Sequence, residues 1–320
     1  MNSGKSLVQL SGDASFRKFY RLKNKKKTIL VFSKKEKRKN LLIYDAVNKI
    51  LIKNKIKAPK LISQNYEKNL IEIQDLGNKT IFDLILKNKN KKIEFYYKIV
   101  SILSRLQKIK NNKIITFKNT KYSIPKYSKS MLYNESNLFL DWYVPSKVKY
   151  KKRKILNKKM KKIIITLIGN LKNKKKVFIH RDFHISNMMY YKNNIFLIDS
   201  QDAVYGNIAY DLASLIDDVR IKTTLKEKEK IFTKYIITKK LINVEEFKND
   251  FEILSVLRNL KIIGIFTRLS VRDKKNQYLK LIPHAWSLIE QRIKNNSNFQ
   301  DLKKILDKYF SQRARKKYEN

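Results

Sequence analysis

The feature that most constrains this chain is a change in the period of its apolar residues at Gly77. Upstream, short strand-like runs surround one helical stripe. The runs are Phe16, Phe19, Tyr20 and Leu22, then Ile29-Leu30-Val31-Phe32, then Leu61-Ile62 and Leu70-Ile71-Glu72-Ile73. The stripe lies in Leu41 to Ile52, with Leu41, Leu42, Tyr44, Ala46, Val47 and Ile50 at helical spacing. Downstream, helical spacing takes over in Thr80 to Lys87, Ile93 to Ile109, Tyr127 to Tyr143 and Lys154 to Leu171. It closes with Phe251 to Val271, so densely apolar that it predicts a central buried helix. A strand-rich segment followed by a helix-rich one implies an α+β fold. The expected boundary lies at 75–78, between segments 1–74 and 79–320.

One stretch breaks the helical pattern. Val177-Phe178-Ile179 reads as a strand, His180 to Asn187 as a polar loop, and Met188 to Tyr191 with Ile195 to Ile198 as a hairpin closed by Lys192-Asn193-Asn194.

Composition narrows the chemistry available. The 320 residues are 42% hydrophobic and 11% aromatic, which excludes a disordered basic tail even though 74 Lys and Arg against 27 Asp and Glu leave a net charge of +47. The cations are spread in small blocks such as Lys25 to Lys27, Lys158 to Lys162 and Lys174 to Lys176, among abundant Asn, Ile and Tyr. Such a distribution reads as compositional bias, with nonspecific attraction to anionic surfaces as a by-product. No specific nucleic-acid partner is expected. No window approaches the roughly 18 uninterrupted apolar residues of a membrane span, and Met1 to Leu10 lacks the apolar core of a signal peptide. A cytoplasmic protein with no membrane partner is expected, acting as a monomer. The absence of Cys excludes disulfides, thiolate metal sites and cysteine nucleophiles, and His180, His184 and His284 are too few for an all-histidine metal site. Chemistry must rest on carboxylates, hydroxyls, lysines or a metal held by oxygen.

The loop and hairpin carry that inventory. Asp182 and Asn187 lie in the loop and Asp199 follows the second hairpin strand. Phosphoryl transfer needs a carboxylate to orient and deprotonate an attacking hydroxyl, and oxygen ligands for the Mg²⁺ that bridges nucleotide phosphates. Asp182 fits the base, and Asn187 and Asp199 fit the metal ligands, because a hairpin returns both to one end.

His180-x-Asp182-x-x-x-x-Asn187 followed by a hydrophobic strand and Asp199 resembles the catalytic core of aminoglycoside-phosphotransferase-like kinases, relatives of the protein kinases. Further segments, in order, resemble landmarks of the bacterial N-acetylmuramate/N-acetylglucosamine anomeric kinases. They are Ser11-Gly-Asp-Ala-Ser-Phe-Arg-Lys-Phe-Tyr-Arg-Leu22, Gln74-Asp-Leu-Gly-Asn-Lys-Thr80, Phe139-Leu-Asp-Trp-Tyr143, Ile198-Asp-Ser-Gln-Asp-Ala203, Tyr210-Asp-Leu-Ala-Ser-Leu215 and Asn259-Leu-Lys-Ile-Ile-Gly-Ile-Phe-Thr-Arg268. The resemblance implies a bilobal protein-kinase-like fold with a β-rich nucleotide-binding lobe and a mainly helical catalytic and substrate lobe. It also implies ATP with Mg²⁺, and transfer of the γ-phosphate to the anomeric hydroxyl of an amino sugar in cell-wall recycling. Carried over, Ser11, Gly12, Asp13, Ala14 and Ser15 form the loop over the phosphates, and Gln74, Asp75 and Leu76 present hinge backbone to adenine.

The chain departs from the pattern twice. Strand Ile29 to Phe32 runs into Ser33 with no lysine to grip phosphate, a charge that Arg17, Lys34 or Lys35 could supply, and Ser200 stands where the family carries Phe. Asp141 and Trp142 suit sugar recognition or core packing, His184 lines the acceptor site or packs, and Asp202 binds substrate or a second metal, or caps a turn. Asp211 is expected as an N-cap or loop anchor rather than a catalyst. Two other functions fit the same residues: a kinase of another small hydroxyl acceptor such as an aminoglycoside, choline or homoserine, and a non-catalytic, RNA-associated kinase-like protein.

Overall fold

The computed structural model describes residues 7–10, 17–22, 28–110, 113–294 and 296–318. By its contacts the chain divides into two units, Met1–Pro125 with Val177–Tyr205, and Lys126–Lys176 with Gly206–Asn320.

The first unit is built on an antiparallel sheet. Strands β1 (Leu7–Leu10), β2 (Lys18–Leu22) and β3 (Thr28–Phe32) lead to helix α1 (Lys39–Lys53), and β4 (Leu61–Asn65) and β5 (Leu70–Gln74) complete the order β1-β2-β3-β5-β4. The alternation seen in the sequence explains the pairing: Val31 and Ile71 lie opposite each other and are both fully buried, while their sequence neighbours turn outward. Helix α1 covers that face, so Leu41 and Tyr44 close a cluster with Val31, Ile71 and Ile73. Gly77 takes φ +76°, a value that suits glycine, where the chain leaves β5 for α2 (Ile81–Lys87). Thr80 caps α2 through a reciprocal box with Asp83. Helix α3 (Lys92–Leu106) follows, then the short pair β6 (Lys113–Ile115) and β7 (Lys121–Ser123), whose three-residue strands carry too little periodicity to be read from sequence.

The interruption anticipated near residue 177 is present. Strand β8 (Lys176–Ile179) pairs with β11 (Val204–Asn207), and between them β9 (Met188–Tyr191) and β10 (Asn194–Leu197) form an antiparallel hairpin with Met188 opposite Leu197. Tyr190 N donates to Lys79 O at 2.8 Å, which ties the hairpin to the segment entering α2.

The second unit is helical: α4 (Lys129–Leu138), α5 (Val144–Lys147), α6 (Tyr150–Gly169), α7 (Tyr210–Ile216), α8 (Leu225–Lys239), α9 (Val244–Asp273), α10 (Ile282–Ile293), α11 (Gln300–Tyr309) and α12 (Gln312–Arg315). Helix α9 is the expected buried helix, but it begins at Val244 because Asn243 accepts from Glu246 N and caps it. It is followed by three further helices rather than closing the fold. The continuous helix expected over Tyr127 to Tyr143 is a correction. Residues Phe139–Tyr143 form a π-helical turn between α4 and α5, with Val144 N bonded to Phe139 O. Pro145 supplies no N–H to continue an ordinary ladder there. At the same point Gly264 of α9 lets two backbones meet: a Cβ on it would stand 2.3 Å from Leu138 C. Beneath the turn, Phe139, Tyr143, Trp286 and Phe310 pack with ring centroids 5.2–5.8 Å apart, and Trp286 Nε1 donates to Tyr143 Oη at 3.1 Å. Asp211 needs a second correction: Ala209 is the N-cap of α7, and Asp211 is fully buried inside the helix.

Candidate active site

The loop between β8 and β9 is held by its own backbone. Asp182 O accepts from His184 N at 3.0 Å and from Asn187 Nδ2 at 3.1 Å, and Ile198 N donates to Asn187 O at 3.0 Å. Asn187 therefore precedes β9 and Asp199 follows β10 at the same end of one hairpin, joined by a hydrogen bond one residue from Asp199. Two residues here adopt the left-handed region, Arg181 at φ 72° and Asp199 at φ 62°. Asp visits that region readily, whereas an Arg there is rarer and needs surrounding support. Arg181 Nη1 provides some of it by donating to Asp202 O at 3.2 Å.

His180 is buried at the end of β8, against Phe183. Burial lowers its pKa, while the nearby Asp182, Asp199 and Asp202 and a hydrogen bond to the Ile198 backbone oppose that shift. His184 is also buried, with Nε2 3.3 Å from Asn187 Nδ2. Asp202 is exposed and accepts from Gln201 Nε2 at 2.9 Å.

Of the three cations the sequence offers, Arg17 is the one that meets Asp199. Arg17 Nη2 bonds Asp199 Oδ1, and the Arg17 side chain is 2% exposed against 38% for that of Asp199. Its guanidinium lies 5.5 Å from the Phe19 ring and 5.2 Å from the Tyr44 ring. Lys34 and Lys35 are both exposed. Ser200, in place of the family's Phe, is fully buried and donates to Asn48 Oδ1 at 2.6 Å, and Asn48 Nδ2 donates to Pro59 O at 3.2 Å. A polar contact to α1 thus lies beside Asp199. Asn48 was the sequence signal for it, an amide on the apolar face of α1.

The segment after β5 has its own clamp. Arg21 reaches Asp75 through Nε at 2.6 Å and Nη2 at 2.8 Å, bonds Asn78 Oδ1, and donates to Gly77 O at 3.0 Å, while Asp75 Oδ1 accepts from Gly77 N at 2.8 Å. Arg21 was not singled out as functional from sequence. Gln74 closes β5 with its N–H on Lys60 O, and Leu76 is buried. Ser11, Gly12, Asp13, Ala14 and Ser15 lie outside the described residues. In the second unit, Asp141 and Trp142 both lie on the π-helical turn: Asp141 is exposed and accepts from Asn137 Nδ2 at 2.8 Å, and Trp142 is half-buried.

Among the described residues no three His, Asp or Glu gather to hold a metal. Asn187 and Asp199 offer one amide oxygen and one carboxylate. That donor set fits a hard ion that keeps water and takes its remaining ligands from phosphate, and does not fit an all-protein cage. Among the described residues no helix is long and apolar enough to cross a membrane.

Comparison with known proteins places these features in context. The family described as "Phosphotransferase enzyme family" matches residues 6–239. The chain is similar to the N-acetylmuramate/N-acetylglucosamine kinase of Pseudomonas aeruginosa, with 24% identity over 306 residues, 94% of this chain and 87% of that one. It is also similar to the kinase of the same name from Neisseria meningitidis serogroup B, with 26% identity over 290 residues, 87% of this chain and 82% of the other. Among solved structures, a choline/ethanolamine kinase family protein from Mesorhizobium loti superposes with a TM-score of 0.63 at 10% identity, covering 95% of this chain and 94% of that one. At that identity the likeness concerns the fold, and the fold is the bilobal protein-kinase-like one.

Proposed function

Because the chain belongs to the phosphotransferase enzyme family and so transfers a phosphoryl group to a hydroxyl, we propose that it is an ATP-dependent kinase of an amino sugar, phosphorylating the anomeric hydroxyl of N-acetylmuramate or N-acetylglucosamine. The observation that carries this reading is the juncture of Asp182, Asn187 and Asp199 at one end of the β9–β10 hairpin. The names of the similar kinases, matched over most of the chain, support the sugar.

Asp182 aligns the acceptor hydroxyl and takes its proton, its carbonyl pinned by two hydrogen bonds so that the carboxylate works from a fixed backbone. Asn187 Nδ2 is engaged with Asp182 O, which leaves Oδ1 of the same amide as its acceptor, and that oxygen with Asp199 would hold Mg²⁺. The ion, when bound, offsets charge on the nucleotide phosphates. Residues 75–78, clamped by Arg21, present backbone to the adenine. Positioning and fixed electrostatics supply most of the catalysis, as phosphoryl transfer requires.

The test is an ATP-consumption screen over N-acetylmuramate, N-acetylglucosamine, aminoglycosides and choline, with the product's phosphate located by phosphorus NMR. Turnover dependent on the amino sugars, with phosphate on the anomeric oxygen, is expected. Turnover with choline or an aminoglycoside alone replaces the acceptor, and salt-sensitive RNA binding without turnover refutes the kinase reading. Asp182→Asn is expected to lower kcat by roughly 100- to 10,000-fold while nucleotide binding persists. Near-normal kcat removes its role.

A further inference from the structure

Two contacts from one helix converge on the Asp199-Ser200 pair. Tyr44 of α1 lays its ring against Arg17, whose guanidinium bonds Asp199 Oδ1, and one turn later Asn48 accepts the Ser200 hydroxyl. Residues 44 and 48 are four apart and so share a face of α1. Both are buried, and so are Arg17 and Ser200. Asp199 itself stays open enough to take a ligand, and its left-handed backbone gives its carboxylate no support of its own from a regular element.

From this geometry we infer that Arg17, Tyr44 and Asn48 are positioning residues for the metal-binding carboxylate: α1 holds Asp199 ready for Mg²⁺ through Arg17 on one side and Ser200 on the other. The inference rests on the kinase reading and extends it, because it assigns affinity for the metal to a helix that carries none of its ligands. Arg17 occupies Oδ1 of the carboxylate, so Oδ2 would be the oxygen left to the ion. A guanidinium beside a bound dication is unfavourable in isolation. It becomes favourable once the triphosphate is present, because that group carries more negative charge than one divalent ion offsets. The aromatic walls matter for the same reason: they desolvate Arg17 and limit the directions it can take, so little freedom is lost when the site fills. Burial pushes the Tyr44 hydroxyl up to about 12, against the lowering effect of Arg17, so the residue meets the cation as a neutral ring. A strand lysine is dispensable in this arrangement, which accounts for β3 running from Thr28 to Phe32 without one.

The test is calorimetric binding of a non-hydrolysable ATP analogue to the full chain across a Mg²⁺ titration, with and without the metal. Arg17→Met keeps an apolar stem between the rings and removes the charge. We expect it to raise the half-saturating Mg²⁺ concentration at least about tenfold, a shift of about 1.4 kcal/mol, with a smaller fall in metal-free affinity for the analogue. Arg17→Lys should recover part of the loss. If Arg17→Met fails to fold, Ser200→Ala removes the second contact alone and should raise the half-saturating concentration in the same direction. Equal or tighter Mg²⁺ dependence in these variants overturns the inference, since Arg17 would then compete with the metal. A loss confined to metal-free affinity also overturns it, because Arg17 would then touch phosphate directly and not act through Asp199. Failure of the wild type to bind the analogue at any Mg²⁺ concentration sinks the kinase reading itself.

Discussion

Gly264→Ala probes the crossing of α4 and α9 in the second unit. An added Cβ would lie 2.3 Å from Leu138 C, 2.4 Å from Leu138 O and 2.6 Å from Phe139 N, whereas ordinary contact begins near 3.4 Å. The obstacles are all backbone, so no rotamer change relieves them, and α9 must withdraw from α4 by about 1 Å. Overpacking of this kind costs about 1–3 kcal/mol, and with backbone on both sides the upper end applies. For a unit of this size each kcal/mol moves Tm by about 2–4 °C, so a fall of about 6–12 °C is expected in thermal unfolding followed by circular dichroism. The displaced atoms open the π-helical turn that carries Asp141 and Trp142. A Tm within about 1 °C of wild type would refute the reasoning, for it would mean that the backbones are not in contact at Gly264.

Asp217 offers a pH test. Burial raises its pKa, but Arg292, with bonds of 2.8 and 3.0 Å, and Lys228 at 2.8 Å more than offset this and hold the carboxyl well below the ordinary carboxylate range. Its contribution is thus present above the unfolded-state pKa of about 4 and disappears as pH falls further toward the folded value. Urea midpoints of the wild type should drop steeply below that pH, and Asp217→Asn should flatten the slope while costing about 3–5 kcal/mol at neutral pH by stranding two cations. Arg21→Met should weaken binding of the ATP analogue about tenfold, or about 1.4 kcal/mol, without changing its Mg²⁺ dependence, since it loosens only residues 75–78. An altered Mg²⁺ midpoint in that variant would contradict the separation of the two arginines. Asp250→Ala should cost about 3 kcal/mol or more, because the buried carboxylate accepts from Lys172 N, Asn173 N and the Asn207 amide at 2.6–2.8 Å and no other group replaces it. Chemical denaturation measures this directly.

Local order was legible wherever a property repeats within a few residues. The strand runs around Ile29 and Ile71, the stripe of α1 and the apolar density of α9 follow from period alone, because burying one face is the main favourable term and leaves its mark at fixed spacing. The loop bearing Asp182 and Asn187 and the hairpin returning to Asp199 were readable for a related reason: all three lie within eighteen residues, so a short closure brings them together. Element edges were less legible. The π-helical turn at Phe139–Tyr143 keeps a helical hydrophobic pattern, and what breaks the regular ladder there is Pro145 together with contact from a glycine far along the chain.

Tertiary structure alone decided which charges meet. Arg17 and Asp199 are 182 residues apart, Ser200 and Asn48 are 152 apart and Arg21 and Asp75 are 54 apart. In a chain with so many cations, composition gives no means of choosing Arg17 over Lys34 or Lys35. Which of them is buried against Asp199 is decided by desolvation: a guanidinium walled by Phe19 and Tyr44 and matched to a carboxylate can be buried there, while the lysines remain in water. Short-range patterning specifies the elements, and the cost of burying charge selects the partners that long-range folding brings together.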